Sequence, residues 1–285
     1  MTDSYCIVGR DVSHSPSPAM MSAAFKSARV DAEYTAVSVS EARFVREFGR
    51  LERERFSGMN VTMPYKTKVI SLLAGLDAVA TRVQAVNTVK REGGGYVGHN
   101  TDPDGIVGPL RERAEALDVR NAMLIGAGGA ARAFCEAMNR MGCVDIAVAV
   151  RDLERSSAFV EDMEKAFPRI NITPAPLSDL RRLNHDLVFN ASPMGSGGEP
   201  LPKEVRRMLP GTKVVFDAVY RPRETNLLSE GRKAGAVAIP GEEMLLHQGM
   251  AAFSLWTGLE APEGPMRKAL VASLEREKAA RRAKR

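Results

Sequence analysis

Cysteine is scarce in this chain. Cys6, Cys135 and Cys143 are its three cysteines, an odd count with no CxxC pair. That excludes a disulfide-stapled scaffold and a cysteine-based zinc site. Cys6 and Cys135 fall inside apolar patterns, so reduced, buried thiols of a cytoplasmic protein are expected. The four histidines, His14, His99, His185 and His247, show no metal-ligand spacing, and no metal is expected. No apolar run approaches the length of a membrane span. The opening Met-Thr-Asp-Ser-Tyr passes directly into folding sequence, with no signal-peptide pattern. There are no internal repeats.

An excess of one charge is also missing from most of the chain. The net charge is +5, but residues 265–285 hold eight Lys/Arg against two Asp/Glu. The remainder is close to neutral, which argues against a basic field for nucleic acid. The basic end reads as a solvated final helix with a frayed tip. What is present is ordinary for a globular protein: 44% hydrophobic and 26% charged residues. A length of 285 residues suits two domains.

The most informative stretch is Asn121-Ala-Met-Leu-Ile-Gly-Ala-Gly-Gly-Ala-Ala-Arg132. The apolar run 122–125 predicts a short buried strand, and residues 130–141 carry apolar side chains at helical spacing. Between them lie Gly126, Ala127, Gly128, Gly129 and Ala130. Strand, glycine turn and helix form the context of a dinucleotide-binding turn. Gly126 permits the tight turn, Gly128 lets the backbone approach a pyrophosphate, and Ala131 is small enough for close helix–strand packing. The free N–H groups and dipole of the helix start would hold the phosphates. An ordinary strand-to-helix turn is the bland alternative.

Before this motif the pattern predicts strands at 5–8, 34–39 and 56–61, and helices at 19–28, 41–54 and 66–73. A hairpin spans 86–98 across Glu92-Gly-Gly-Gly95. A helix is predicted over 104–117. After the motif, strands at 144–150, 187–190, 214–218 and 237–239 alternate with helices at 154–167 and 227–234. Such alternation suits a doubly wound parallel sheet. Helices at 244–259 and 266–274 close the chain and are expected to return to the first domain. The expected architecture is therefore α/β. A discontinuous substrate domain covers residues 1–103 plus 241–285, and a dinucleotide-binding (Rossmann) domain covers 104–240.

Several polar residues follow the ends of predicted strands: Ser15 and Ser17 in a proline-stiffened loop, Thr62 and Lys66, Asn87, and Asp102. Ligands of open α/β sheets bind outside the carboxyl ends of the strands, and this mixture suits a polyhydroxylated anion. Each residue alone has a structural reading. Ser15 and Ser17 could cap a helix, Asp102 could favour a helix N-terminus, Lys66 could be a first-turn lysine and Gln248 a polar helix-face position.

Together these segments resemble the shikimate dehydrogenase family over nearly the whole chain. The resemblance rests on Ser13-His-Ser-Pro-Ser-Pro18, Asn60-Val-Thr-Met-Pro-Tyr-Lys66, Ala85-Val-Asn-Thr88 and Gly98-His-Asn-Thr-Asp102. Gly126-Ala-Gly-Gly129, Asn190-Ala-Ser-Pro-Met-Gly195 and Asp217-Ala-Val-Tyr220 with Pro222 and Thr225 continue it. The stretch from Gly241 through Met244-Leu245 and Gln248 to Trp256-Thr-Gly258 completes it.

The resemblance implies NADP-dependent interconversion of 3-dehydroshikimate and shikimate, in aromatic amino acid biosynthesis. It implies substrate contacts from Ser15, Ser17, Thr62, Lys66, Asn87, Asp102, Tyr220 and Gln248, with Lys66 and Asp102 catalytic. On the cofactor side it implies Gly126, Ala127, Gly128, Gly129, Ala130, Arg151, Arg155, Ala218 and Gly241. A ketone reduced by hydride must gain a proton at oxygen, which a lysine ammonium can donate.

NAD specificity usually needs an acidic residue at the end of the second strand of the dinucleotide domain. Here Val150 stands there, and Arg151 and Arg155 follow as a clamp for a 2′-phosphate. The family's Asn-Arg-Thr segment is Val150-Arg151-Asp152 in this chain, and Asp152 would repel a phosphate or bind ribose if it pointed inward. Asp11, Met21-Ser22 and Pro103-Asp104 also depart from the pattern. An NAD-dependent quinate/shikimate dehydrogenase is the alternative, although Ser17 matches the shikimate-preferring form. A cofactor-binding regulator without turnover is the alternative of another class. The expected partner is a small-molecule substrate, with no nucleic acid and no membrane, in a monomer or homodimer.

Overall fold

The computed structural model describes residues 2–113, 118–180 and 185–283, with side chains to residue 279. The last four residues of the helix predicted over 104–117, and the end of the basic tail, lie outside the described residues. In chain order the first elements are β1 (Asp3–Gly9), α1 (Ser17–Ala28) and β2 (Ala32–Ser38). A 3₁₀ turn at Glu41–Arg43 runs into α2 (Phe44–Arg53), then come β3 (Gly58–Val61), β4 (Gly75–Leu76), α3 (Ala78–Val83), β5 (Thr88–Glu92) and β6 (Gly95–His99). They are followed by α4 (Asp102–Arg113), β7 (Asn121–Ile125), α5 (Gly129–Met141), β8 (Asp145–Val150), α6 (Leu153–Ala166) and β9 (Asn171–Pro176). The chain continues with β10 (Leu187–Asn190), α7 (Lys203–Met208), β11 (Val214–Asp217), α8 (Asn226–Lys233), β12 (Val237–Ile239), α9 (Gly241–Thr257) and α10 (Glu263–Ala283).

The chain divides into two units, Met1–Thr101 with Gln248–Arg285, and Asp102–His247. The sheet of the first unit has the order β2-β1-β3-β5-β6-β4. β1 runs parallel to β2 and β3, whereas β5 is antiparallel to both β3 and β6. The C-terminal ends of β1, β3 and β6 and the N-terminal end of β5 therefore share one edge. The hairpin turns on Gly93 and Gly94, both at positive φ, as a two-residue turn of right-twisted strands requires.

One side of this sheet buries Phe44, Phe48, Leu51, Tyr65 and Tyr96. On the other side stands Trp256, whose ring lies against Tyr5 at 4.8 Å and whose Nε1 donates to Val89 O at 3.0 Å. Gly58 is needed there, because a Cβ would collide with the indole. Gly249 admits Met20 in the same way, and α10 packs on α1. The helices after residue 248 thus supply the cover that α1 alone could not.

The second unit holds a parallel sheet of order β12-β11-β10-β7-β8-β9. The order reverses between β7 and β10, which is the switch point where doubly wound sheets bind ligands. Phe134 stacks on Phe189 at 4.7 Å in its core.

Four short elements escaped the periodicity. β9 pairs Pro174 and Pro176 opposite Val148 and Val150, and prolines are tolerated because β9 is an edge strand. β4, α3 and α7 are too short to show a period. The helix predicted from Lys66 is a turn followed by a 3₁₀ segment, Lys68–Leu72. No helix among the described residues is long and apolar enough to cross a membrane.

Candidate active site

The loops at the shared edge of the first sheet carry six of the eight substrate-side residues of the sequence reading, or lead into them. After β1, a Cβ on Gly9 would lie 2.5 Å from Thr62 Cγ2, so glycine lets the β1 loop close over Thr62. Ser15 Oγ accepts the N–H of Ser17 at 3.2 Å, and Ser15 N–H donates to Val12 O at 2.9 Å. α1 starts at Ser17 with Pro16 in the N-cap position, so neither serine is an N-cap. The capping alternative is thereby corrected for Ser17, whereas Ser15, one residue before the N-cap, accepts the first N–H of α1.

Lys66 is half-buried in the turn after β3, ahead of the 3₁₀ segment, so it is not a first-turn lysine of a helix. Its position is imposed by Tyr65. That ring is fully buried, stacks on Phe44 at 4.0 Å and 9°, and its hydroxyl donates to Val39 O at 2.6 Å. The carbonyl of Lys66 accepts Val86 N–H at 2.8 Å, tying the turn to the approach to β5.

Asn87 is the centre of a buried hydrogen-bond chain. Tyr34 donates to Asn60 Oδ1 at 2.7 Å, and Asn60 Nδ2 donates to Thr88 Oγ1 at 3.1 Å. Thr88 donates to Asn87 Oδ1 at 2.9 Å, which also accepts Thr101 N–H at 2.7 Å. Asn87 Nδ2 faces Thr101 Oγ1 at 3.0 Å and Gln248 Oε1 at 3.4 Å. Satisfied buried networks of this kind rigidify what they hold. This one holds Thr101, the residue before Asp102, and Asp102 is buried at the start of α4. Tyr34, Asn60, Thr88 and Thr101 carry this network without being among the expected substrate contacts. Three of them stand in the motif segments of the sequence, and polar side chains in strands that are otherwise apolar were the available signal.

In the second unit, the turn after β7 has the geometry its glycines suggested. Gly126 is at φ +102, and a Cβ on it would lie 3.1 Å from Ser192 Cβ. α5 begins after Gly128 with no side-chain cap, and a Cβ on Gly128 would meet nothing within 4 Å. Open N–H groups and open space at a helix start fit a pyrophosphate. Gly241 is fixed by packing, since a Cβ would lie 2.6 Å from Ala218 O.

Val150 is buried, and Arg151, Asp152 and Arg155 are exposed. Asp152 Oδ1 accepts Arg155 N–H at 3.1 Å and so caps α6, a task that threonine also performs. Arg151 lines a pocket of about 290 Å³ with Leu177, Ser178 and Glu204. Leu177 and Ser178 come from the turn after β9 and Glu204 from α7, short elements without a period of their own.

Tyr220 belongs to the second unit, where Arg221 lies over its ring at 5.0 Å. The loop holding it is set by Asp217. Asp217 Oδ1 accepts Asn190 Nδ2 at 2.8 Å and Val219 N–H at 3.0 Å, and Oδ2 accepts Thr225 Oγ1 at 2.6 Å. Asn190 in turn holds Ser192 at 2.7 Å. Burial, the largest influence, pushes the Asp217 carboxyl up to about 6 against the pull of these donors.

Residues 7–89 match the family description "Shikimate dehydrogenase substrate binding domain", residues 110–195 match "Shikimate / quinate 5-dehydrogenase", and residues 241–271 match "Shikimate 5'-dehydrogenase C-terminal domain". The shikimate dehydrogenase (NADP(+)) of Symbiobacterium thermophilum is 36% identical over 94% of each chain. The chain belongs to the shikimate dehydrogenase family. Among solved structures of this family, shikimate 5-dehydrogenase from Thermus thermophilus in complex with NADP(H) and shikimate matches with TM-score 0.83 and 30% identity, over 95% of this chain and 100% of that one. Quinate dehydrogenase from Corynebacterium glutamicum in complex with NAD matches with TM-score 0.85 and 29% identity, over 95% and 99%. The family's two parts correspond to the N-terminal α/β sheet and the Rossmann-like sheet described above.

Proposed function

We propose that this family member reduces 3-dehydroshikimate to shikimate with NADPH, reversibly. The observation that carries the reading is the gathering of Ser15, Ser17, Thr62, Lys66 and Asn87 on loops at one sheet edge, with Asn87 bonded to Gln248. NADPH, when bound, supplies the hydride. Lys66 donates the proton that turns the carbonyl oxygen into a hydroxyl, and takes it back in reverse. Asp102 accepts a hydrogen bond from that hydroxyl and keeps it aimed. Ser15, Ser17, Thr62, Asn87, Tyr220 and Gln248 bind the remaining oxygens of the substrate.

The segment Gly126–Ala130 holds the pyrophosphate, Arg151 and Arg155 the 2′-phosphate, and Ala218 and Gly241 flank the cofactor's other end. By function we assign residues 1–103 with 241–285 to the substrate part and 104–240 to the dinucleotide part, a division that departs from the two compact units at residues 102–103 and 241–247. Three buried free thiols support a reducing, cytoplasmic setting. The state of assembly is monomer or homodimer.

Val150 and Asp152 are what favour the second reading, an NAD-dependent quinate/shikimate dehydrogenase. The capping bond from Asp152 to its own helix supports NADP instead. Initial rates with shikimate or quinate, each with NADP or NAD, test this. Turnover is expected to be fastest with shikimate and NADP. A preference for quinate and NAD would transfer the assignment, and no turnover in any pairing would leave only a cofactor-binding regulator. Replacing Arg151 with alanine is expected to weaken NADP by roughly tenfold to a hundredfold, the worth of a charge-assisted hydrogen bond, with NAD unchanged. Equal losses for both cofactors would remove Arg151 from the clamp.

A further inference from the structure

The sequence offered no metal-ligand spacing among its histidines, but folding brings one of them to two carboxylates. Glu243 and His247 are four residues apart on α9, a separation that places side chains on one helix face. α4 contributes Glu112. One ligand atom from each of Glu112, Glu243 and His247 lies within 4.8 Å of the others. All three belong to the second unit.

The observation that points to a ligand is His247 itself. The residue is 8% exposed, and its Nε2 is buried with no hydrogen-bond partner among the described residues. That nitrogen lies 3.4 Å from Glu112 Oε2, within ion-pair reach but without hydrogen-bond geometry. The opposite flank of the ring is pinned, since a Cβ on Gly108 would collide with Nδ1. The imidazole therefore presents Nε2 toward Glu112, with a Glu243 carboxylate oxygen in the same cluster.

We propose that Glu112, Glu243 and His247 form a binding site for a divalent transition-metal ion of the zinc type, with water completing the coordination. A nitrogen–oxygen separation of 3.4 Å matches the edge of a tetrahedron whose metal–ligand bonds are about 2.1 Å. An imidazole with two carboxylates selects transition metals over calcium and magnesium, which prefer all-oxygen shells. The charge is suitable, because Glu243 is already paired with Arg113, and one guanidinium against two carboxylates leaves a net negative site among these groups. An incoming ion would displace Arg113 from Glu243. Access is available through Glu112, whose side chain is 47% exposed. The bound ion would clamp α4 to the first half of α9, directly before Gln248. The site takes no part in hydride or proton transfer.

The test uses the full chain stripped with a chelator and then titrated with ZnCl₂ by calorimetry, and with CoCl₂ by visible absorption. One ion per chain is expected, with the intense cobalt bands of a low-coordinate site. Glu112→Gln and His247→Asn are each expected to weaken zinc by roughly 100-fold, the upper range seen even for changes outside the ligand shell. Glu112 is half-exposed, so its variant keeps the fold and remains informative if the His247 variant does not. Failure of the wild-type chain to bind zinc saturably overturns the proposal, as does zinc binding that neither substitution weakens.

Discussion

Replacing Lys66 with alanine is expected to lower kcat by about 10²- to 10⁴-fold, the range for loss of a positioned proton donor. The effect should fall on turnover and leave the KM for shikimate little changed. The remaining contacts, from Ser15, Ser17, Thr62, Asn87 and Gln248, are unaltered in that variant. The fold should also persist, because the loop is held by Tyr65 through its stacking on Phe44 and its bond to Val39 O, neither of which involves the lysine side chain. Measuring kcat and KM separately, with shikimate and NADP at one pH, distinguishes the two effects. Near-normal turnover would remove Lys66 from proton transfer. A large rise in KM with kcat preserved would make it a binding residue only.

The second large effect is on stability and resides at Asp217. Alanine there would leave the amide of Asn190, the N–H of Val219 and the hydroxyl of Thr225 without their shared acceptor. A buried donor left unsatisfied costs about 1–3 kcal/mol, so a loss of about 3 kcal/mol or more is expected for Asp217→Ala. Thermal unfolding should show it as a drop of several degrees, and NADP binding should weaken because the Ala218–Tyr220 turn is released. An unchanged melting temperature would show that the network is dispensable.

Asp217→Asn separates charge from shape. Burial raises the folded carboxyl to about 6, above its ordinary value of 3.8, so between these values the folded chain binds more protons than the unfolded one. Its contribution to stability is full below the unfolded value and is lost as pH rises through about 6. The stability of the native chain relative to the asparagine variant should therefore fall between about pH 4 and about pH 6 and level off above that. Parallel pH profiles would place the carboxyl in an unperturbed state.

The residues of the site were legible in different degrees. Gly126 announced itself because glycine suits a turn at positive φ, and Gly128 because a residue without a side chain keeps the approach to a helix start open. Lys66 and Asp102 were legible through the motif segments that hold them, and their structural alternatives could be weighed only with coordinates. Ser17 illustrates this. It precedes a helical pattern and reads as a cap, yet the helix begins on it and the cap position belongs to Pro16. Asp152 was ambiguous for a related reason. The direction of a carboxylate depends on which N–H it reaches, and here that is Arg155 of its own helix.

The sequence by itself determined the two runs of strand and helix, the glycine turn, the neutral body with its basic end, and the polar residues at strand ends. These follow from local periodicity, backbone freedom and charge, which act over a few residues. Tertiary structure alone decided that Tyr34 reaches Asn60 across 26 positions and Asn87 reaches Gln248 across 161. It alone decided that Asp217 ties the end of β10 to the loop before α8, that Pro174 and Pro176 sit on an edge, and that His247 turns toward Glu112. Each of these depends on strand order, register and helix packing, through which distant parts of the chain meet to bury their apolar faces.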